Sequence, residues 1–249
     1  MTRSATTPIA LSDKDIRCLD DPVRFALTGS QARFAVPANG PAYRFRPEIG
    51  PFAALDDPAD DAGWHALGEL CRIAEPVVLV APVTEHPLEL RPGWQLVAQP
   101  TGYQLLAPPI IDTSRPDSEL VPLTAADVPE MLALVELTRP GPFGPATIEL
   151  GGYLGIRREG RLVAMAGRRF ELAGWSEISA VCTHPDFRGQ GLSRRLITAV
   201  LAELARDGQR GFLHVTRDNV GADALYRSMG FTQRAEVAFT VLRRWAGNS

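Results

Sequence analysis

A strand, a glycine-containing turn, an amphipathic helix and a second strand follow one another between residues 177 and 215. Residues 177–183 and 211–215 are short apolar runs of the kind found in buried strands. Residues 192–205 repeat leucine, isoleucine and valine at helical spacing, so one face of this helix is apolar. A helix that connects two strands of one sheet packs back onto that sheet. The segment therefore predicts a sheet with at least one helix on its face.

The remainder of the second half alternates strands and helices around this unit. Thr124 is suited to cap a helix that continues with the apolar residues of 128–135. Glu159-Gly160-Arg161 separates two strand patterns and is typical of a hairpin turn. Further predicted elements are strands at 120–123, 152–158, 162–170 and 231–242, a helix at 219–229 and a proline-rich loop at 139–145. Hairpins combined with a strand–helix–strand crossover predict an α/β fold with a mixed sheet.

The first half differs in composition and predicts a second, smaller α/β domain. Residues 1–118 hold 15 of the 21 prolines and a net charge of −5, against +2 for residues 119–249. Apolar spacing predicts a helix at 64–73 and strands at 76–80, 94–98 and 103–106. The boundary is placed in the segment 108–120, where Pro, Asp and Ser cluster. No motif in the first half indicates a chemical role.

Composition argues against several broad classes of function. The 26 basic and 29 acidic residues give a net charge of −3, which disfavours nucleic acid or an anionic membrane as a partner. No apolar run approaches the ~20 residues that span a bilayer, and the N-terminus lacks an apolar export signal, so we expect a cytoplasmic protein. The cysteines show no CxxC spacing and the four histidines lie far apart. Neither a disulfide framework nor a metal site is predicted.

Two glycines lie between the strand at 177–183 and the helix that follows it. Gly189 and Gly191 let the backbone approach a ligand closely, and the N-terminus of the helix directs free N–H groups toward it. Positive charge is added at the same place by Arg188, Arg194 and Arg195. The pattern indicates either a tight strand-to-helix turn or a phosphate-binding loop. It matches neither a Walker loop nor a GxGxxG dinucleotide motif.

Two motifs together resemble the GCN5-related N-acetyltransferase (GNAT) superfamily. The acyl-CoA loop of that family, Gln/Arg-x-x-Gly-x-Gly/Ala, stands here as Arg188-Gly-Gln-Gly191-Leu-Ser193, with serine at the last position. Downstream, Asn219-Val-Gly-Ala-Asp-Ala-Leu-Tyr226-Arg-Ser-Met-Gly-Phe231 is similar to the family's Asn-x-x-Ala-x-x-Leu-Tyr-x-x-x-Gly-Phe stretch. Residues 177–189 look most like the FR47-like branch, which includes the C-terminal domains of glycine N-acyltransferases. The resemblance covers residues 119–245 and implies a GNAT fold there.

The resemblance also implies a site for acetyl-CoA or another acyl-CoA. The pantetheine arm is expected beside the strand at 177–183, and the diphosphate is expected on the N–H groups of the loop that follows. The residues assigned to this cofactor site are Val181, Cys182, Thr183, Arg188, Gly189, Gln190, Gly191, Leu192, Ser193, Arg194, Asn219 and Tyr226.

Catalysis is assigned to two side chains. Tyr226 occupies the family's usual general-acid position, and a phenol can pass a proton to a departing thiolate. Even spacing along a strand places Glu177 on the same face as residues 179 and 181, within reach of the acceptor as a general base. The loop at 139–145 is either a rigid connector or a wall of the acceptor pocket, and it borders the acceptor cleft in this fold, so Phe143 is a candidate acceptor contact. Trp175, beside Gly174 before the strand, is a second candidate. Structural roles are expected for His184, His214 and Cys182.

The predicted function is transfer of an acetyl group from acetyl-CoA to a primary amine of a small molecule or amino acid by direct attack. Three alternatives stay open: a glycine N-acyltransferase-like enzyme that uses larger acyl groups, an enzyme that acetylates proteins, and a non-catalytic acyl-CoA-binding or regulatory module. We expect a monomer or a homodimer. The first half could cap the acceptor cleft or be a degenerate copy of the same fold.

Overall fold

The computed structural model describes residues 10–85, 88–109 and 117–245, so part of the predicted boundary segment lies outside the described residues. The helices are α1 (Asp13–Asp20), α2 (Pro22–Leu27), α3 (Asp61–Leu70), α4 (Val128–Thr138), α5 (Leu192–Arg206) and α6 (Val220–Ser228). The strands are β1 (Ala42–Arg44), β2 (Ala53–Leu55), β3 (Pro76–Pro82), β4 (Trp94–Ala98), β5 (Thr101–Leu106), β6 (Leu120–Pro122), β7 (Leu154–Arg158), β8 (Arg161–Leu172), β9 (Trp175–Thr183), β10 (Arg210–Thr216) and β11 (Thr232–Arg244). Each helix and strand predicted from the sequence is present, with ends that differ by a few residues.

Most of these strands belong to one mixed sheet. Its order is β3-β11-β5-β10-β9-β8-β7-β6, and β4 pairs with the C-terminal end of β11. The β9–β10 pair is parallel, whereas the other pairs of this sheet are antiparallel. β1 and β2 form a separate antiparallel pair. The predicted α/β fold with a mixed sheet is confirmed.

The turns and caps follow from the local sequence. The β7–β8 hairpin has positive φ at Glu159 (51°) and Gly160 (78°), as expected for a two-residue turn that matches the twist of its strands. Thr124 forms a reciprocal capping box on a short 3-10 turn that leads into α4. Asn219 caps α6, because its side chain accepts a hydrogen bond from the Ala222 N–H.

The two halves share the large sheet. β5 from the first half lies between β10 and β11 from the second half and pairs with both. The backbones approach so closely that a Cβ atom on Gly102 would overlap the Val215 carbonyl. Leu105 in β5 is fully buried in the same apolar cluster as the inner face of α5. The expected division into 1–118 and 119–249 therefore marks a change in composition, while the sheet runs across it.

Helices cover both faces of the sheet. The apolar face of α5 packs in one cluster with residues from β7, β8, β9 and β10. A second cluster joins α1 and α2 to Phe170, Trp175 and Phe212. Phe212 belongs to this second cluster and its neighbour Leu213 to the first, as the alternation of side chains along a strand requires. The first half of the chain therefore covers the sheet face opposite α5.

Hydrogen bonds fix the first half on that face. The Trp175 Nε1 donates to the carboxylate of Asp15 in α1 at 2.7 Å. The Gln31 side chain donates to the Arg169 carbonyl in β8 at 2.7 Å. Both bonds are partly buried, so they specify one orientation of the first half as well as stabilise it.

The described part of the chain contains no group of His, Cys, Asp and Glu side chains that could hold a metal ion. Its three cysteines, Cys18, Cys71 and Cys182, are buried free thiols. Among its helices, none has the length and apolar character needed to cross a bilayer.

The central place of β5 can be tested with two leucines of the first half. Leu105→Ala in β5 should lower the free energy of unfolding by about 2–5 kcal/mol, because it leaves a cavity in the shared core. Leu96→Ala in β4, where the side chain is 46% exposed, should cost about 0.5 kcal/mol or less. Urea unfolding followed by circular dichroism measures both. Equal losses would contradict the position of β5 inside the common sheet.

Candidate active site

β9 and β10 separate after a short parallel stretch and leave a cleft between them. Their pairing joins residues 175–177 to residues 210–212. Further along, β9 stays paired with β8 as far as Thr183, and β10 stays paired with β5 as far as Thr216. The sides that face each other across the cleft therefore carry backbone groups without a strand partner. Because such groups need hydrogen-bond partners, the cleft suits a ligand that carries amide groups.

A β-bulge at Ala180 changes which side chains of β9 share a face. Ala180 has a φ of 53°, and β9 has one residue more than β8 at this point. Val181 consequently packs in the α5 cluster, whereas Cys182 packs in a cluster with α4. Glu177 makes its contacts on the face that the first half covers. The prediction that residues 177 and 181 share a face is wrong, because the bulge breaks the even spacing.

The loop between β9 and α5 has the geometry of an anion-binding loop. Gly189 and Gly191 adopt φ values of 77° and 72°, and nothing lies within 4 Å of the positions their Cβ atoms would take. Gly191 is the N-cap of α5, and no side chain caps the helix there. The first-turn N–H groups and the positive end of the helix dipole are therefore available. Open space beside these donors fits a phosphate group.

The arginines of this loop have different environments. Arg188 is exposed, and Arg194 donates to the Ser228 hydroxyl in α6 at 2.6 Å. Arg195 forms ion pairs with Asp117 and Glu119. Positive charge for an anion therefore comes from Arg188 and Arg194, while Arg195 ties residues 117 and 119, on either side of the division between the halves, to α5.

The remaining cofactor candidates lie on the two sides of the cleft, near the C-terminal ends of the parallel strands β9 and β10. The Thr183 hydroxyl at the end of β9 lies 2.9 Å from the Ser193 hydroxyl in the first turn of α5, so the serine links strand and helix. The exposed Asn219 uses its side-chain oxygen to cap α6, which leaves its NH₂ group for other contacts.

Tyr226 is a buried phenol on α6. It is 7% exposed and packs against Phe231, with ring centroids 5.8 Å apart. Burial raises the pKa of the Tyr226 phenol above its ordinary value, and the Cys182 thiol adds to this effect. The phenol therefore keeps its proton at neutral pH, as a general acid must.

Glu177 is fully buried and paired. Arg169 donates to both of its carboxylate oxygens at 2.6 Å, and the His214 Nδ1 lies 2.7 Å from Oε1. Burial alone would raise the pKa of the Glu177 carboxyl, but Arg169 and His214 outweigh it and lower the pKa to about 2. An effective general base has a pKa near the working pH. The assignment of Glu177 as general base stays a prediction, and its contacts favour a positioning role.

A polar network continues from Glu177 into the first half. The His214 Nε2 lies 3.1 Å from the amide nitrogen of Gln104, which can only donate, so this contact requires the tautomer with its proton on Nδ1. The Gln104 oxygen accepts from Arg234, and Arg234 also binds Asp20 of α1. The network ties β8, β9, β10 and β11 to α1.

The two acceptor candidates lie in different surroundings. Phe143 packs edge-on against Tyr153, with ring centroids 5.7 Å apart, and its neighbour Pro142 lines a small cavity between the two halves. Trp175 is 1% exposed, and its Nε1 donates a hydrogen bond to Asp15. The guanidinium carbon of Arg210 lies 3.9 Å from the centroid of the Trp175 ring. Trp175 is therefore a core contact at the paired end of β9, and the expectation that it borders an acceptor cleft is wrong.

The environments of two further residues agree with structural roles. Burial raises the pKa of the Cys182 thiol to about 11, so it is protonated and a weak nucleophile at neutral pH. The His184 Nδ1 accepts a hydrogen bond from the Asp186 N–H at the start of a 3-10 turn.

Sequence reasoning did not single out Arg169, which pairs with Glu177, or Tyr153, which is buried against Gly167. Arg169 faces Glu177 because the register of β8 and β9 shifts a second time between Arg168 and Glu171, where β8 has one residue more than β9. Tyr153 precedes β7 and reaches this region by packing over Gly167. No sequence motif marks either residue, because strand register decides which side chains become neighbours.

Comparisons with known proteins match this architecture. The FR47-like protein family matches residues 153–240. The crystal structure of an acetyltransferase assigned to the GNAT family, from Novosphingobium aromaticivorans, has a TM-score of 0.83 and 36% identity, and the match covers 92% of this chain and 99% of that chain. A GCN5-related N-acetyltransferase from Kribbella flavida has the same fold, with a TM-score of 0.61 and 18% identity over 96% of this chain and 98% of that chain.

A curated relative matches a shorter region. N-alpha-acetyltransferase RimI of Mycobacterium tuberculosis is 40% identical over 82 residues, or 33% of this chain. The chain spans 45% of the length of that relative.

The chain belongs to the GNAT family of acetyltransferases. Enzymes of this family use acetyl-CoA or another acyl-CoA as donor and act on amines. The residues present fit such a donor, since the cleft offers backbone partners for amide groups and the two-glycine loop offers an uncapped helix end for phosphate.

The pairing of Glu177 predicts a specific dependence of stability on pH. Because the pKa of Glu177 is lowered from 4.5 to about 2, its contribution to stability is present above pH 4.5 and is lost as the pH falls toward 2. Glu177→Gln should be less stable than the wild type at neutral pH, and the difference should shrink across that window. Urea unfolding at a series of pH values measures it, with Glu159→Gln in the exposed hairpin turn as control. A pH-independent difference would contradict the ion pair.

Proposed function

We propose that the chain transfers an acetyl group from acetyl-CoA to the primary amine of a small molecule. The observation that carries the proposal is the cleft between β9 and β10, which leads to the two-glycine loop and the uncapped end of α5. Acetyl-CoA carries amide groups along its arm and a diphosphate beyond them. The unpaired backbone groups of the cleft complement the amide groups of the arm, and the anion-binding loop beyond them complements the diphosphate.

The cofactor contacts follow from the same geometry. In the proposal, the backbone of Val181, Cys182 and Thr183 binds the arm. The N–H groups of residues 189–194 bind the diphosphate, because they lie at the positive end of α5. Arg188 supplies further positive charge and the Asn219 amide a further donor.

The cover formed by the first half supports a small acceptor. A Cβ atom on Gly144 would overlap the Glu48 carbonyl, so the loop at 139–145 is pressed against the first half. The cavity that remains beside Pro142 has a volume of about 10 Å³, which is room for about one water molecule. A polypeptide acceptor would therefore need this cover to open.

The proposed chemistry joins a neutral amine to an acyl group and releases a thiol. Bound acetyl-CoA supplies the activated thioester carbonyl. Tyr226 donates its proton to the departing sulfur and regains one, by way of solvent, from the amine nitrogen that has become an amide. Glu177 holds the Arg169 guanidinium in place on the acceptor side.

Gly191→Glu tests the donor site. The added carboxylate would occupy the open space beside the loop and repel a diphosphate, so the dissociation constant for acetyl-CoA should rise by about tenfold or more. Gly208→Glu is a matched control, since Gly208 at the other end of α5 has a similar φ of 70° and equally open surroundings. Calorimetry measures both. Unchanged binding in Gly191→Glu would refute the assigned loop.

Tyr226→Phe tests the proposed acid. Removing the phenolic proton should lower kcat by about 10²–10⁴-fold and leave acetyl-CoA binding unchanged. Tyr103→Phe in β5 removes a phenol elsewhere and should leave turnover unchanged. Release of free thiol from acetyl-CoA in the presence of a panel of small amines provides the rate. A Tyr226→Phe enzyme with full turnover would exclude the phenol as the proton donor.

A further inference from the structure

A groove lies between α3 and the ends of β4 and β11. The residues that border it include Trp64 and Gly68 of α3, Trp94 of β4, Arg244 of β11 and the following Trp245. Its volume is about 380 Å³, and sites for small molecules usually measure roughly 300–1,000 Å³. The residues that line it differ from those assigned to acetyl-CoA, and β5 separates β11 from β10 in the sheet. The groove is therefore a place for a second ligand, apart from the cleft between β9 and β10.

Three of the chain's four tryptophans line this groove. Trp64 and Trp94 pack edge to face, with ring centroids 5.7 Å apart, and the Trp64 Nε1 donates to the Pro58 carbonyl at 2.8 Å. These contacts hold both rings in place. Trp245 is 53% exposed, although its backbone N–H donates to the Gly93 carbonyl at 2.7 Å. A ligand that covers this indole removes apolar surface from water, and an aromatic ring can also stack on it.

The charged side chains of the groove leave one guanidinium without a carboxylate partner. Asp61 and Arg91 form an ion pair, and Arg91 also donates to the Ala59 carbonyl at 2.6 Å. Arg244 donates through Nη1 to the Gly68 carbonyl at 2.7 Å, and no carboxylate of the described residues lies within ion-pair distance of it. Its Nε and Nη2 form the edge of the guanidinium that can bind both oxygens of a carboxylate.

We infer that the groove binds a small aromatic monocarboxylate, with the carboxylate on Arg244 and the ring against the indole of Trp245. Because the charges of Asp61 and Arg91 cancel, the side chains that line the groove offer one positive charge to a ligand. One charge matches a monoanion better than a phosphate dianion. The unpaired guanidinium and the exposed indole belong to consecutive residues, so one small molecule can contact both. This site goes beyond the proposed function and does not depend on it.

Three probes separate the charge of the ligand from its ring. 2-Naphthoate carries both features, 2-naphthamide is its neutral isostere, and decahydro-2-naphthoate keeps the carboxylate on a saturated body. Calorimetry with the full chain gives the three dissociation constants. We expect 2-naphthoate to bind about tenfold or more tightly than 2-naphthamide, because the amide lacks the charge-assisted bond. We expect it to bind about threefold or more tightly than decahydro-2-naphthoate, which cannot stack on an indole.

Variants of two neighbouring arginines test the carboxylate contact. Arg244→Gln removes the charge, so it should weaken the binding of 2-naphthoate by about tenfold and leave that of 2-naphthamide unchanged. The matched control is Arg243→Gln, because Arg243 donates to the Gln95 side chain and does not line the groove. Far-ultraviolet circular dichroism confirms that each variant is folded.

Variants of Trp245 test the ring contact. Trp245→Leu keeps an apolar side chain but removes the aromatic face, so 2-naphthoate should lose its advantage over decahydro-2-naphthoate. Trp245→Phe keeps an aromatic face and should retain most of that advantage. The exposure of Trp245 makes loss of the fold an unexpected result for either variant.

Gly191→Glu keeps the groove distinct from the site proposed for acetyl-CoA. The binding of 2-naphthoate should be unchanged in this variant and in the presence of acetyl-CoA. Loss of binding in Gly191→Glu, or displacement by acetyl-CoA, would place the probe in the cleft between β9 and β10 and overturn the inference. Equal losses in Arg244→Gln and Arg243→Gln, or a wild type that does not bind 2-naphthoate at millimolar concentration, would also overturn it. Neither of these last two results would bear on acetyl transfer.

Discussion

The separation of β9 from β10 after residue 177 is the constraint on which the site depends. A parallel pair that stayed in register would satisfy its own backbone groups and leave no room for a ligand. Here β8 holds one strand and β5 holds the other, so the two remain ordered although they do not pair with each other. The bulge at Ala180 places Glu177 and Val181 on opposite faces of the sheet, and α5 begins where the cleft reaches the glycine loop.

The first half of the chain is part of this arrangement. β5 gives β10 the partner that keeps it extended along the cleft, and α1 and α2 cover the sheet face that carries Glu177. The polar network from Glu177 through His214 and Gln104 to Arg234 satisfies buried polar groups that would otherwise be costly. The surroundings of Glu177 are therefore built jointly by two halves whose compositions differ.

Sequence reasoning succeeded where local patterns decide the structure. The crossover helix, the hairpin turn at Glu159-Gly160 and the cap at Asn219 depend on periodicity or on one or two residues, and each is present. It failed where long-range pairing decides. Even spacing placed Val181 with Glu177, and a bulge separates them. Trp175 resembled a cleft residue in sequence and is a core contact, because Asp15 and Arg210 enclose it.

The sequence by itself determined the family, the order of strands and helices along the chain and the position of the two-glycine loop, because motifs and hydrophobic periods are local properties. The tertiary structure alone decided three further points. β5 lies inside the sheet of the second half, Arg169 faces Glu177 across a register shift, and Tyr153 is buried against Gly167 with no hydrogen-bond partner for its hydroxyl among the described residues. Each depends on contacts between residues far apart in the chain. The order of the strands in the sheet and their register set these contacts, and composition does not encode them.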